Sequence, residues 1–445
     1  MFRRSLREIT RYPSAIIGLT VVLLMFLVAI YAVIKIPYHE AIRLWRGGED
    51  VWYHNPKNAA PIWMNWFTKT KQPESFFLSS TDGTASKTVE MNPDGTSQIN
   101  INYTFDYQYD GFPQELILYF KTKFESKQPF ITLHWITPDG RQFEFGSMGV
   151  GATETYRFSQ DQKLSRKVAG LAPQIGLFKD INASGNVPIK GTYQLIVTAT
   201  TFEDGSDVDA ELVVHGKVAG LAGTDHQRRD LTVPLLWGTP IALLFGLAGA
   251  LATSVLTMII AAIGTWYGSW VDELIQRITE VNLVLPFLSI LIMVGTFYSR
   301  SLWTILGITI LLSIFTGGIK AYRAIFLQVK ESTYIEAAKA YGASNGRIIF
   351  LYLIPRMIPL LIPGLVSSIP SFVFLEASLA VLGLGDPVLP TWGKIIYDAQ
   401  VQDALYKGYY YWILEPAALL TLTGLGFAML GFALDRIFNP RLRGM

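Results

Sequence analysis

Six apolar stretches, at residues 15–36, 240–266, 281–298, 302–318, 348–374 and 411–434, restrict this chain more than any motif it carries. At about 1.5 Å of rise per residue, a helix of about 20 apolar residues crosses the roughly 30 Å hydrocarbon core of a bilayer. Inside that core the backbone finds partners only within the helix itself. The sequence therefore predicts an all-α polytopic membrane bundle with six transmembrane helices. A composition of 50% apolar and only 16% charged residues agrees with it. The fifth stretch carries Pro355, Pro359, Pro363 and Pro370, each lacking a donor and crowding the turn before it. That span is predicted to be bent or broken and to face the bundle interior, because lipid tolerates irregular backbone only against protein or a wet cavity.

Residues 38–222 read differently, being polar, aromatic and rich in turns. Alternation at 98–103, 115–124 and 191–200 predicts strands. Residues 130–136 and 141–145 flank Thr137-Pro138-Asp139-Gly140, and 193–201 and 208–214 flank Glu203-Asp204-Gly205-Ser206, which predicts two hairpins. The expected fold is a mainly-β, sandwich-like antiparallel domain, with short helices near Trp45 and Trp63. Asp204, Asp207 and Asp209 form either a calcium site or a solvated hairpin tip, and their spacing does not match a calcium loop. The chain thus divides into a tail and first helix (1–37), an inserted β-rich domain (38–222) and five further helices (223–445).

Charge orients the bundle. With Arg3, Arg4, Arg7 and Arg11 inside, the inner segments hold thirteen Lys and Arg and the short outer loops hold three. Both termini and the 319–347 loop are then cytoplasmic, and the β domain is extracytoplasmic. A cleaved signal peptide is the alternative for the first stretch, but it exceeds the usual apolar region and no small-x-small site closes it. A net charge of +2 gives no field for nucleic acid, which is not expected as a partner. The chain has no cysteine, no HExxH pair among its five histidines and no GxxxxGK[ST] run, so neither a zinc hydrolase nor an ATPase of its own is indicated. Trp392, Trp412 and the Tyr409 to Tyr411 run suit an interfacial aromatic belt.

The segment ESTYIEAAKAYGASNGRIIFLYLIP, 331–355, sets a polar helix former between two apolar runs. A short helix should end near Tyr341, where Gly342 turns the chain sharply. Tyr334, Ala337, Ala338 and Tyr341 fall on one small and aromatic face, with Glu336 and Lys339 off it. Glu336-Ala337-Ala338, then Gly342, then Ile354-Pro355 resembles the cytoplasmic loop of ABC-importer permeases. The resemblance is to the dipeptide and oligopeptide branch and covers 1–40 and 218–445. It runs through Tyr12-Pro13, Ile36-Pro37-Tyr38, Gly223-Thr224-Asp225, Arg229-Asp230-Leu231, Gly238, Glu376-Ala377-Ser378-Leu379, Leu382-Gly383-Leu384-Gly385, Pro390-Thr391-Trp392-Gly393 and Asn439-Pro440-Arg441-Leu442-Arg443. Two features depart from it: Arg228 stands where such permeases usually have glycine, and the β domain interrupts a loop that is normally short.

The resemblance implies a type I importer permease fold and half of a translocation pathway. It also implies a second homologous permease, two cytoplasmic ATPases that bind ATP and magnesium, and an extracytoplasmic binding protein that delivers peptide or a related solute. Glu336, Ala337, Ala338, Tyr341 and Gly342 would couple to the ATPases. No cofactor, metal or catalytic residue is expected in this chain. Glu376, Asp386 and Glu415 lie near the membrane, where uncompensated charge is costly, and are either pathway residues or interfacial groups with water or Lys394 as partner. The competing reading is a membrane-anchored receptor or assembly protein whose β-sandwich senses a ligand.

Overall fold

The computed structural model describes residues 13–92, 96–183 and 185–438. The Arg3, Arg4, Arg7 and Arg11 tail and the 439–443 motif lie outside the described residues. The chain divides into a helical unit, Met1–Arg46 with Val233–Met445, and a β unit, Gly47–Thr232.

The helical unit opens with α1 (Pro13–Lys35), apolar throughout, and the short α2 (Tyr38–Arg46), broken from it at Pro37. Among the described residues of the β unit nine strands follow: β1 (Phe76–Ser79), β2 (Ser86–Met91), β3 (Ser97–Tyr107), β4 (Glu115–Lys123), β5 (Phe130–Ile136), β6 (Gln142–Gly149), β7 (Thr153–Arg157), β8 (Gly191–Thr201) and β9 (Asp207–His215). They form two antiparallel sheets, in the orders β1-β9-β4-β7 and β2-β3-β8-β5-β6. Alternation carries the packing: in β8, Tyr193, Leu195, Val197, Ala199 and Thr201 point inward, and in β9 Val208, Ala210, Leu212 and Val214 do. Both inner faces close on one core with Trp135, Tyr103 and Phe158 fully buried. Tyr103 in one sheet donates its hydroxyl to the carbonyl of Ala210 in the other, at 2.6 Å.

Of the two expected hairpins one forms, β5 pairing directly with β6. The other does not. Both edges of β8 are taken by β3 and β5, and β9 lies between β1 and β4 in the opposite sheet. The turn at 203–206 therefore hands the chain from one sheet to the other, and both strands contribute to the shared core. The acidic residues beside it are ion-paired, Lys87 bridging Asp207 at 2.7 Å and Asp209 at 2.8 Å. Among the described residues no three such groups gather as a metal site.

The β unit ends in a tight hairpin centred on Asp225. This fully buried carboxylate accepts from the backbone of Gln227 and Arg229 and pairs with the Arg229 side chain at 2.5 Å. Arg228 in this turn adopts φ 68°, a conformation that favours glycine. Its buried guanidinium donates to Asn55 O at 2.8 Å and Glu115 at 2.7 Å, and it also reaches Glu49 at 3.3 Å.

From Thr232 onward the helices are α3 (Thr232–Tyr267), α4 (Ser269–Val284), α5 (Phe287–Phe297), α6 (Leu302–Ile314), α7 (Gly317–Lys330), α8 (Thr333–Ala340), α9 (Asn345–Ile348), α10 (Ile354–Leu379), α11 (Trp392–Val401) and α12 (Tyr411–Phe438). Four described helices, Pro13–Lys35, Thr232–Tyr267, Asn345–Leu384 and Tyr411–Phe438, are long and apolar enough to cross a membrane. The number is six if α4 with α5 and α6 with α7 each form one span. These pairs bend by 78° and 45°, the first at Pro286. The sharp bends thus fall in the third and fourth stretches, and the proline-rich fifth runs through as one helix. A π-helical turn, Ile349–Leu353, stands immediately before Pro355; Pro359, Pro363 and Pro370 lie within the α-helix itself, and a second wide turn, Ala380–Leu384, kinks the far end at Gly383. A π turn widens the backbone where a proline ring would strike the carbonyl four residues back. Pro363 and Pro370 are buried, while Pro355 and Pro359 are exposed in this single chain.

Small residues set the helix contacts, as expected where lipid gives no hydrophobic drive between helices. A Cβ on Gly18 of α1 would stand 2.9 Å from the Gly426 carbonyl of α12. Gly238 of α3 faces the ring of Trp392, whose indole N–H donates to Leu235 O at 2.9 Å. Trp392, Trp412 and Tyr411 are buried, so they do not form the expected lipid-facing belt; of that run Tyr410 is exposed. Their ring planes are used for packing within the unit.

Candidate functional site

Helix α8, with Ser332 at its N-cap position, buries Ile335 and, three residues on, Ala338, and Ile335 packs into a cluster that includes Trp266, Phe326, Ile348 and Leu353. Its end is a complete Schellman motif: Gly342 N donates to Lys339 O at 2.9 Å and Ala343 N to Ala338 O at 3.0 Å. Gly342 has φ 76°, the left-handed conformation that ends the helix. Ser344 then caps α9 by accepting from Arg347 N at 3.4 Å.

The base under this helix is fixed from several sides. Lys330 donates to Thr265 O and Trp266 O, at 3.0 and 3.1 Å, and so satisfies carbonyls at the end of α3. The ammonium of Lys339 sits 4.8 Å from the centroid of the Trp266 ring. Arg323 of α7 grips Asp272 of α4 with bonds of 2.8, 2.9 and 2.5 Å.

The outer side of α8 is bare. Tyr341 is 93% exposed, and Tyr334, Glu336, Ala337 and Gly342 are exposed as well. Of the sequence-predicted face, Ala338 alone turns inward. Sequence reasoning missed Ile335 as the inward anchor, although its spacing to Ala338 was the available signal.

The three acidic candidates separate. Glu376, at the end of α10, is buried with its carboxyl against the Thr391 hydroxyl. Asp386 accepts from Leu302 N at 3.0 Å and Val388 N at 2.9 Å, so it caps the start of α6 from a distant loop. Glu376, Asp386 and Arg300 line one small pocket. Glu415, half-buried near the start of α12, is not among its lining residues. Lys394 is engaged elsewhere, paired with Asp398 at 2.8 Å and set over the Tyr397 ring.

Residues 253–444 match the family described as "Binding-protein-dependent transport system inner membrane component". The chain is 29% identical over 222 residues to the dipeptide transport system permease protein DppC of Bacillus subtilis (strain 168), covering 50% of this chain and 68% of that protein. It is 30% identical over 226 residues to the oligopeptide transport system permease protein OppC of the same organism, covering 50% and 72%. It is 32% identical over 182 residues to the peptidoglycan transport system permease protein YejE of Agrobacterium fabrum (strain C58 / ATCC 33970), covering 39% and 46%.

Proposed function

The chain belongs to the inner-membrane components of binding-protein-dependent transport systems, and on that premise we propose that it forms half of a pathway for peptides or a related small solute, driven by ATPases that dock on residues 336–342. It is a multi-pass membrane protein and a permease component of an ABC transporter, not a catalyst. ATP and magnesium belong to the partner ATPases. A second homologous permease completes the pathway, and an extracytoplasmic binding protein supplies the solute. Peptide is favoured as solute because DppC and OppC are named for dipeptide and oligopeptide transport. Residues Glu376 and Asp386, with Arg300 beside them, are proposed to flank the outer end of the pathway, with Glu415 on the neighbouring helix.

The observation that carries the coupling reading is the contrast on α8 between an anchored inner face and a bare outer one. A short amphipathic helix of this kind is suited to a groove in a partner. When the ATPases close, the anchored base passes the motion to α10 through the π turn Ile349–Leu353. The outer face of Tyr334, Ala337 and Tyr341 fills the groove, and Glu336 meets a basic or hydroxyl group at its rim.

Gly342→Val tests this. A Cβ there meets nothing within 4 Å, so the cost is confined to the backbone, about 1–2 kcal/mol for a side chain in the left-handed region. That leaves the bundle folded and misaims the helix. The variant is expected to insert normally while uptake, substrate-stimulated ATP hydrolysis and ATPase association fall together, with Glu336→Ala acting more mildly in the same direction. Loss of uptake only in proportion to lost membrane protein would make the segment a structural helix.

A further inference from the structure

The β unit carries an uncovered apolar patch of Trp63, Met64, Trp66, Phe67 and Leu221, in which Trp66 is 80%, Phe67 81% and Leu221 75% exposed. The patch is held open by fixed backbone. Pro61 leads the 3-10 turn Ile62–Trp66, and Ile62 N donates to Gly220 O at 3.0 Å. The Trp63 indole donates to Leu221 O at 2.9 Å. Asn65 and Gln72 then exchange two hydrogen bonds of 3.0 Å, closing the loop that displays Trp66 and Phe67. These rings point away from the core because their own turn is tied down, and burial elsewhere in the unit is not open to them.

Charge and chain position identify the occupant. Between Lys57 and Glu74 the sequence has no carboxylate, and it places the exposed Lys69 and Lys71 directly after the aromatic residues. The acidic group met by this loop, Asp110, accepts from Lys71 N at 2.9 Å and is itself paired with Lys190 at 2.6 Å. Protein interfaces are depleted in lysine. Trp and Phe bordered by lysine suit the boundary between acyl chains and phosphate headgroups. Leu221 also lies only eleven residues before Thr232, where the long apolar helix α3 begins. The chain itself thus tethers the patch to a membrane-crossing segment.

We propose that this patch is a lipid-surface anchor. Trp66, Phe67 and Leu221 enter the boundary region of the leaflet that faces the β unit, and Lys69 and Lys71 meet lipid phosphates. The anchor holds the inserted unit against the membrane independently of ATPase docking.

The absence of cysteine makes the test clean. Phe67→Cys, Leu221→Cys and, as control, Met91→Cys on the exposed edge strand β2 are labelled with an environment-sensitive fluorophore. The full chain is placed one copy per nanodisc of phosphatidylethanolamine and phosphatidylglycerol, with or without bromine on the acyl chains. Labels at 67 and 221 are expected to be blue-shifted and quenched by bromolipid, while the label at 91 shows neither effect. Lys69→Glu with Lys71→Glu should reduce the quenching in these discs more than in discs of phosphatidylcholine. Labels at 67 and 221 that behave like the one at 91 would overturn the proposal. So would shielding that appears only with a second copy or an added partner and is insensitive to bromolipid, which would assign the patch to a protein contact.

Discussion

Arg228 stands where the permeases it resembles usually have glycine, and its φ of 68° shows what the position demands. A left-handed conformation costs a residue with a side chain about 1–2 kcal/mol. Here the guanidinium is buried among Glu115, Glu49 and the Asn55 carbonyl, and those bonds offset the strain. The Lys57 ammonium bound to Glu49, with Arg157 and Arg228 nearby, holds that carboxyl down at about 2. His215, fully buried beside Arg228, is pushed from 6.5 down to about 4, by burial first and then by the neighbouring cation. The folded chain keeps it neutral, so the unfolded chain binds the extra proton between pH 6.5 and 4. Stability from this group is full above about 6.5 and is lost as pH falls through that window, on the order of 3 kcal/mol in all. Amide exchange in β4 and β9, corrected for intrinsic rates, is expected to speed up as the full chain is taken from neutral pH toward 4. His215→Gln, which keeps a donor for Tyr53 O but does not titrate, should flatten that dependence. An unchanged slope in the variant would assign it to other groups.

Among the elements, the pairing of α3 with α11 through Gly238 and Trp392 is the tightest test of the packing described above. A Cβ built on Gly238 would lie 2.2 Å from the Trp392 ring, inside any tolerable contact. Gly238→Ala must displace a ring that is buried and hydrogen-bonded to Leu235 O, and overpacking of this kind costs about 1–3 kcal/mol. The variant should show a lowered thermal midpoint in detergent. Trp392→Phe removes part of the clash, so the double variant should lose less than the sum of the single losses. Strict additivity would mean that the two residues do not touch.

For the whole molecule, the side of the membrane proposed for each part rests on the charge asymmetry of the sequence, thirteen Lys and Arg against three. Ser126 in the β unit and Ser344 beside α8 are both exposed, and the chain has no cysteine of its own. In intact cells an impermeant thiol reagent is expected to label Ser126→Cys and to leave Ser344→Cys unlabelled until the membrane is opened. Equal labelling of the two would remove the proposed orientation, and with it the access of cytoplasmic ATPases to residues 336–342.

What could be read without the structure is what local pattern encodes. Apolar length gave the long helices, period-two alternation gave β3, β4 and β8, and Gly342 gave the end of α8, because each depends on residues within a few positions of one another. Thr137-Pro138-Asp139-Gly140 and Glu203-Asp204-Gly205-Ser206 look alike as turns, yet one closes a hairpin and the other crosses between sheets. That choice depends on which strand edges β3, β5, β1 and β4 already occupy, and no stretch around the turn contains it. For the same reason the proline spacing of the fifth span predicted a bent or broken helix but not the π turn at 349–353 ahead of Pro355. Trp392 looked like a belt residue until Gly238, 154 positions earlier in the chain, made room for its ring. Asp386 capping α6, Ile335 anchoring α8 and Arg228 reaching Glu115 are likewise decided by contacts between segments far apart in sequence, where burial and hydrogen bonding, not local pattern, set the outcome.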